Sequence, residues 1–323
     1  QALCHNPLFR NYFLSECHTP GTCRIAAEAH RRAADAFCVA CEFDALVNAL
    51  YNGERTTHNP HRFLYIFWKQ GMHGDGLAYG GSSCKLAGYE QHDAHEFLQA
   101  ILGTLEKHDR STLQLDEPGV VSHCFNGMLC SDVQCSHCHM VSSTTERFVD
   151  LSLEIDEAIT NNKTNVTCLN DCLTFFTQKE TLQGDDRWFC HSCKEHRECT
   201  KHFTIHKLPQ VLCLHLKRFH HNKAKQRLKK IENYVSFPLD ELDMQPFLST
   251  VISNQGPRQS EDDYLYDLSA VVEHHGDSTC QSGHYTAYVR HKWNPQGATP
   301  PSCQQDPEEH YSGWTPPKPD PRS

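Results

Sequence analysis

The sequence predicts an α+β protein with a mostly helical amino-terminal part, a cysteine-bearing middle part and a β-rich carboxyl-terminal part. Apolar residues repeat at helical spacing up to about residue 110, whereas period-two alternation typical of strands dominates from 200 to 290. Between them, two C-x-x-C steps lie among short β-like pieces. At 323 residues the chain is long enough to bury a sizeable core.

The clearest predicted helix is "HDAHEFLQAILGTLEKHD", which starts near His92. Its apolar positions recur every three or four residues and so form one face. Asp93, followed three residues later by Glu96, is typical of a helix cap.

The strands are predicted from four segments with alternating patterns: "KHFTIHKL", "QVLCLHLKRF", "YDLSAVVEHH" and "HYTAYVR". Cys168 and Cys172 stand four residues apart, a spacing that favours core packing on one helix face. The segment 291–323 holds eight of the chain's sixteen prolines without apolar periodicity, so we expect a disordered, proline-rich tail.

Composition argues against two classes of partner. The formal net charge is −10, and the basic run "KAKQRLKK" is short, so sequence-specific nucleic-acid binding is not expected. No stretch of about eighteen apolar residues occurs, so we expect no membrane span.

Cysteine usage predicts a metal site. Eighteen cysteines accompany 24 histidines in a chain too long for an ordinary disulfide scaffold, which favours metal binding in a reducing compartment. Cys135, Cys138, Cys190 and Cys193 form two knuckles that together supply the four thiolates of a closed, structural Zn²⁺ site. A redox C-x-x-C and unpaired core thiols are the alternatives.

A second group of donors consists of His18, Cys23, Cys38 and Cys41. It contains one C-x-x-C step and two scattered donors, so zinc and simple buried thiols remain equal alternatives.

His284 stands at the start of a predicted strand, directly after Gly283. A structural histidine is the default for any one of 24. The glycine permits close approach of another chain, however, and the strand would fix the ring, as a base in nucleophilic catalysis requires.

Six motifs in order resemble the ubiquitin-specific proteases: "YEQHDAHEFL", the double C-x-x-C, "LKRF", "YVSFP", "YDLSAVVEHHG" and "SGHYTAYVR". The resemblance covers residues 1–290. It implies a thumb, palm and fingers architecture with a papain-like Cys/His catalytic core: a helical thumb over 1–110, zinc-pinned β fingers over 111–200 and a palm over 201–290.

The same resemblance implies a thiol-dependent deubiquitinase with His284 as its general base. Asp93 and Glu96 match acidic positions that hold the basic tail of ubiquitin, while Phe219 and Tyr285 match positions that line the channel for this tail. Helix capping is the alternative for the acids, and core packing is the alternative for the aromatic residues.

Within the family, the segments "CSDVQCSHCHMVSSTTERFVDLSLEI" and "YVSFPLDELDMQPF" are most similar to the histone deubiquitinases of the SAGA coactivator. That similarity implies ubiquitin on histone H2B as substrate and adaptor proteins of a SAGA-like module as partners. It also implies a location in the nucleus, with the cytoplasm as a second compartment.

Departures from the family pattern leave a second hypothesis open. The family's nucleophilic cysteine lies in a box before the "QAL" that here forms residues 1–3, so it would precede Gln1. Cys4 matches no catalytic position, and Cys280 is too close in sequence to the base to face it well. The Asp or Asn that orients the base is missing after Arg290. His92 replaces a glutamine and Glu273 an asparagine. The alternative function is therefore a non-catalytic pseudoenzyme that binds ubiquitin or an adaptor.

Overall fold

The structure is a computed structural model. It describes residues 1–15, 18–19, 21, 23, 25–27, 38–52, 58–72, 86, 92–112, 119–155, 168–222, 227–249, 264–276 and 283–290. Two compact units are present, with boundaries between Val120 and Val121 and between Thr286 and Ala287. The predicted tail 291–323, Cys280 and part of the basic run lie outside the described residues. None of the described helices has the length and apolar character that crossing a membrane requires.

The part of the first unit before Val121 is helical in its described residues, as the sequence predicts. Its helices are α1 (Ala2–His5), α2 (Pro7–Leu14), α3 (Val39–Tyr51), α4 (His61–Met72) and α5 (Ala94–Thr112). The start of α2 shows the local cause: the Asn6 side chain accepts a hydrogen bond from the Phe9 amide, and Pro7 occupies the first helical position.

Aromatic side chains hold these helices together. Neighbouring rings of Phe9, Phe13, Phe43, Phe63 and Phe67 lie with centroids 5.0 to 6.1 Å apart, a spacing at which aromatic pairs attract one another. Phe9 and Phe67 are completely buried. The core of this unit therefore contains a cluster of aromatic rings that joins α2, α3 and α4.

Helix α5 confirms the clearest prediction from periodicity. Asp93 precedes the helix, and its Oδ1 accepts a hydrogen bond of 2.6 Å from the His95 amide, while its carbonyl accepts one from the Phe97 amide. Of the apolar positions that the pattern marks, Ile101, Leu102 and Leu105 are buried, and Ala94, Phe97 and Leu98 are partly buried. Ala100 and His108 are also buried in this helix.

The second unit begins with the last five residues of α6 (Val120–Phe125) and is rich in strands. The largest sheet has four strands in the order β2-β1-β7-β4. These are β1 (Gly127–Cys135), β2 (Val141–Phe148), β4 (Glu180–Leu182) and β7 (Cys199–Lys207). Antiparallel pairing of β1 with β7 places Cys135 opposite Cys199.

The remaining strands form two-stranded pairs. A parallel pair joins β3 (Leu151–Leu153) to β8 (Leu214–Leu216). Antiparallel pairs join β5 (Trp188–Cys190) to β6 (Glu195–Arg197), β9 (Phe219–Asn222) to β10 (Arg227–Lys230) and β11 (Leu242–Asp243) to β12 (Leu265–Tyr266). The last pair is β13 (Ala270–Gly276) with β14 (Gly283–Val289).

One cluster of buried side chains forms the core of this unit around α7 (Leu169–Phe176) and β3. Leu151, Leu153, Leu173 and Ile205 are all at most 1% exposed. Burial of a leucine or isoleucine side chain stabilises a fold by about 1.5–3 kcal/mol, so these four residues anchor the unit.

The expectation that Cys168 and Cys172 pack in the core from one helix face is confirmed for Cys172 alone. Cys168 is the extended residue before α7 and pairs with Ser236 in an isolated bridge, whereas Cys172 lies in the helix and is fully buried. The helix begins one residue later than the spacing suggests because the Cys168 backbone is used in pairing with another segment.

Candidate functional site

The candidate base, His284, is the second residue of β14 and is exposed. Its neighbours Gly283 and Tyr285 are partly buried, as alternation along a strand requires. The strand therefore fixes the backbone on both sides of His284 and leaves its imidazole accessible.

Gly283 is needed because the ring of His274 lies against it. A Cβ atom at Gly283 would lie 2.7 and 3.0 Å from Cε1 and Cδ2 of His274, and closer still to Nε2. The ring is held from two sides, with centroid distances of 5.1 Å to Phe219 and 4.8 Å to Tyr285. Phe219 and Tyr285, both predicted to line the ubiquitin-tail channel, are thus brought together by His274.

Further contacts tie β13 to its surroundings. Lys230 Nζ donates to the His274 carbonyl at 2.9 Å. The ring nitrogen Nε2 of His275 lies 2.8 Å from Thr286 Oγ1 and 3.6 Å from Glu273, which stands where the family has an asparagine. The pair β13–β14 is therefore fixed by side chains as well as by its backbone.

The motif "LKRF" has a structural role besides Phe219. Arg218 Nη1 donates to the carbonyls of Ile231 and Asn233 at 3.1 and 2.8 Å, and burial lowers the pKa of its guanidinium. The next residue, Phe219, is therefore held beside a fixed segment, which positions its ring against His274.

The acidic candidates lie at the amino-terminal end of α5 in the first unit. Asp93 caps the helix, as described above, and Glu96 is exposed in the first turn. Capping by Asp93 is thus confirmed, whereas contact of either carboxylate with ubiquitin stays a prediction.

Cys4 is poorly suited to nucleophilic attack. It is 3% exposed within α1, and burial raises the pKa of its thiol. A reactive cysteine needs an accessible thiolate, which an apolar environment disfavours.

The structure brings together the four predicted cysteines of the middle part. The sulfurs of Cys135, Cys138, Cys190 and Cys193 all lie within 4.8 Å of one another, and those of Cys138 and Cys190 are 3.5 Å apart. Four thiolates at about 2.3 Å from one tetrahedral Zn²⁺ would stand about 3.8 Å apart, so the cluster fits the ion. We refer to it as the finger cluster.

Both knuckles have the same backbone geometry. The amide of His139 donates to the Cys135 carbonyl at 3.0 Å, and that of Lys194 donates to the Cys190 carbonyl at 2.8 Å. His139 and Lys194 each have positive φ, 58° and 62°. Two segments that are distant in sequence thus make the same turn, each with one residue in the left-handed region of φ. The repeated geometry is consistent with two halves of one metal site.

Hydrogen bonds already favour one thiolate in this cluster. The pKa of Cys138 is lowered to about 6, chiefly by a backbone hydrogen bond from Met140 and further by its cysteine neighbours. The pKa of Cys193 is raised to about 12, chiefly because it hydrogen-bonds to Cys138. A cation would relieve this competition among thiols for one negative charge.

The second predicted group also meets, in the first unit. His18, Cys23, Cys38 and Cys41 present donor atoms within 4.8 Å of one another, and all four are buried. Nε2 of His18 lies 3.1 Å from Cys41 Sγ and 3.7 Å from Cys38 Sγ. A nitrogen and a sulfur on one tetrahedral Zn²⁺ would be about 3.5 Å apart, so this set also fits the ion. We refer to it as the buried cluster.

The amino-terminal end of α3 supports thiolates in the buried cluster. Cys38 caps this helix and Cys41 lies in its first turn, where the helix dipole favours negative charge. The pKa of Cys38 is lowered to about 2, chiefly by its hydrogen bond to Cys41, whose own pKa is raised by the same contact.

Two histidines beside these sites escape sequence reasoning. His274 carries a signal in hindsight, because it lies within the motif "YDLSAVVEHHG". His108 lies beside the buried cluster, with Nε2 3.6 Å from Cys23 Sγ, but the two residues are 85 positions apart. No local pattern could have joined them.

Comparison with known proteins identifies the family of the chain. The family model of ubiquitin carboxyl-terminal hydrolases matches residues 1–297. Ubiquitin carboxyl-terminal hydrolase 22-B of Xenopus laevis is 39% identical over 321 residues, which cover 90% of this chain and 56% of that protein. Its human counterpart, ubiquitin carboxyl-terminal hydrolase 22, is 38% identical with the same shares covered. The chain thus spans about half the length of the curated relatives it matches.

A similar solved structure is that of the SAGA Ubp8/Sgf11/Sus1/Sgf73 DUB module bound to ubiquitin aldehyde. It superposes with a TM-score of 0.68 at 29% identity, over 90% of this chain and 58% of that one. The fold predicted from the sequence, with mixed helices and strands, is therefore confirmed. The chain belongs to the ubiquitin carboxyl-terminal hydrolase family, with the ubiquitin-specific protease fold.

Proposed function

We propose that the protein is a thiol-dependent deubiquitinase, which hydrolyses the isopeptide bond between the carboxyl terminus of ubiquitin and a substrate lysine. The observation that carries the proposal is the family match over residues 1–297. Its site-level support is His284, an accessible imidazole on a strand whose backbone is fixed on both sides.

In this proposal His284 takes the proton of a cysteine thiol, and the thiolate attacks the carbonyl carbon of ubiquitin's last residue. The carbon–nitrogen bond breaks, and the lysine amine leaves with the proton from the imidazolium. Water then hydrolyses the thioester, with His284 again as base. The proposed nucleophile is a cysteine before Gln1, where the family motif has it.

The tail of ubiquitin is held, we propose, by charge and by shape. Asp93 and Glu96 would pair with its basic side chains. The Asp93 carboxylate is held by its cap hydrogen bond, and Glu96 is exposed in the first turn of the same helix. Phe219 and Tyr285 would border the channel, because both rings are held by contact with His274.

Zinc would occupy both clusters as a structural ion, because each set offers four thiolate or imidazole donors and leaves no position open for water. Cys135, Cys138, Cys190 and Cys193 would hold one ion between the two knuckles. The buried cluster would hold a second ion at the start of α3.

The physiological partners proposed are ubiquitinated histone H2B and the adaptor proteins of a SAGA-like module, in the nucleus. Support comes from the solved SAGA module, whose components include Sgf11, Sus1 and Sgf73 beside the similar chain. Cleavage of nucleosomes that carry ubiquitin on H2B, with and without adaptors, tests this finer proposal.

The function itself is tested with a ubiquitin whose carboxyl terminus carries a thiol-reactive electrophile. We expect the protein isolated from its own cells to be labelled at a cysteine before Gln1, and His284→Ala to abolish labelling without loss of ubiquitin binding. His275→Ala, on the neighbouring strand, is the matched control. Labelling within residues 1–323, or unchanged labelling of His284→Ala, contradicts the proposal.

A non-catalytic role in ubiquitin or adaptor binding is the second candidate. The burial of Cys4 and its raised pKa favour it for the chain of 323 residues as such. In that case the protein from its own cells binds ubiquitin but forms no adduct with the electrophile, which separates the two candidates.

A further inference from the structure

The buried cluster depends on the protein to stabilise its charge, whereas water can help to do so at the finger cluster, although four thiolates with Zn²⁺ would give the latter a net charge of −2. Three thiolates and one Zn²⁺ carry a net charge of −1, and all four donor residues of the buried cluster are buried. An uncompensated charge away from water is costly, so the thiolates require hydrogen-bond donors from the protein. In the finger cluster, Cys138 and Cys193 are only partly buried, so water can reach part of that site.

Donors to the buried thiolates converge on Cys23. The amide of Ala26 points to Cys23 Sγ at 3.5 Å. The second contact comes from α5, where Nε2 of His108 lies 3.6 Å from the same sulfur. His108 is itself buried, at 7% exposure.

The tautomers of the two histidines follow from what each faces. A metal-bound thiolate has no proton, so a ring nitrogen that contacts it can only donate. His18 must present Nε2 without a proton to serve as a ligand. Nε2 therefore carries a proton in His108 and none in His18, although the two rings meet edge to face with centroids 4.5 Å apart.

We propose that His108 is a positioning residue of the buried cluster, whose Nε2–H donates to the thiolate of Cys23 and thereby fastens helix α5 to the metal centre. This inference rests on the proposed zinc at that cluster. His108 is assigned as a donor to a ligand, because four other residues already complete the tetrahedral set.

The consequence is mechanical as well as electrostatic. Cys38 and Cys41 belong to the start of α3, Cys23 to a segment before it, and His108 to the last two turns of α5. The ion and the hydrogen bond from His108 would therefore join three segments of the chain. Cys23 and His108 are 85 residues apart. Loss of the donor should loosen the ion without removing a ligand.

The test uses the whole chain loaded with zinc and challenged by a coloured chelator. His108→Phe keeps the ring and its packing but lacks the N–H, whereas His108→Gln keeps an N–H near the position of Nε2. We expect the zinc affinity of the buried cluster to fall about 10–100-fold in His108→Phe, the range typical of such outer hydrogen bonds, with correspondingly faster zinc release to the chelator. His108→Gln should release zinc at close to the wild-type rate.

Lys107→Ala, one residue away on α5, is the matched control and should not change release. Cys193→Ser removes the finger ion and so identifies the phase that belongs to the buried cluster. Cobalt substitution is the second readout: the visible spectrum of His108→Phe should show the same S₃N tetrahedral ligand set as the wild type.

Three outcomes overturn the inference. Equal release rates in His108→Phe and the wild type show that the hydrogen bond is unimportant, and a changed cobalt spectrum shows that His108 is itself a ligand. If the wild-type protein binds zinc only at the finger cluster, the proposed second zinc fails together with this inference, and that result is visible before any His108 variant is made.

Discussion

Replacement of Gly283 by alanine should destabilise the strand pair that carries His284. The backbone at this position does not have the positive φ that favours glycine, which among the described glycines occurs only at Gly184. The whole cost must therefore come from the side chain of His274, whose ring atoms occupy the space of the new methyl group.

The magnitude follows from two ways in which the molecule can respond. If the ring stays, the overpacked methyl group costs about 1–3 kcal/mol of unfolding free energy. If the ring moves, His274 loses its contacts with Phe219 and Tyr285, each worth about 0.5–1.5 kcal/mol. Both responses give a loss of about 1–3 kcal/mol.

The assay is urea unfolding of four proteins: wild type, Gly283→Ala, His274→Ala and the double variant. Without the His274 ring the new methyl group meets no obstacle there, and alanine even reduces the entropy of the unfolded chain by about 0.4–1 kcal/mol. We therefore expect the Gly283→Ala cost to disappear in the His274→Ala background, a coupling of about 1 kcal/mol or more. An equal cost in both backgrounds would refute the steric explanation.

Three further predictions concern the core and the two clusters. Leu173→Ala should cost about 2–5 kcal/mol in urea unfolding because the side chain is fully buried, whereas Val141→Ala, at a half-exposed site, should change stability by at most about 0.5 kcal/mol. Cys193→Ser should remove one zinc per chain by mass spectrometry under native conditions, but Cys199→Ser should remove none, although Cys199 pairs with Cys135. His18→Ala should speed amide exchange in the first turn of α3; unchanged exchange there contradicts a metal at the buried cluster.

Local signals account for the features that sequence predicts well. The periodicity of α5 and the cap at Asp93 are visible because helical contacts join residues three or four apart. The knuckles at Cys135 and Cys190 are visible for a similar reason, since each places two ligands in one tight turn. The family motifs single out His284, and no local pattern specifies its proposed role as general base.

Long-range contacts account for what was missed. The boundary of α7 depends on Cys168, whose backbone pairs with Ser236, 68 residues later in the chain. The place of His108 depends on Cys23, and the need for Gly283 depends on His274. In each case the cause is a partner that the spacing of residues along the chain does not reveal.

The two clusters differ in how their donor residues are arranged along the chain. The finger cluster takes its donors from two C-x-x-C steps, and each knuckle is a local turn closed by its own backbone hydrogen bond. The buried cluster draws its donors from separate segments, so its geometry exists only when those segments are packed. Its Cys41 lies in α3 two residues before Phe43, which packs against Phe9 and Phe13. A metal ion at the buried cluster would therefore be coupled to the aromatic core of the first unit, because it would stabilise the same arrangement of helices that creates its site.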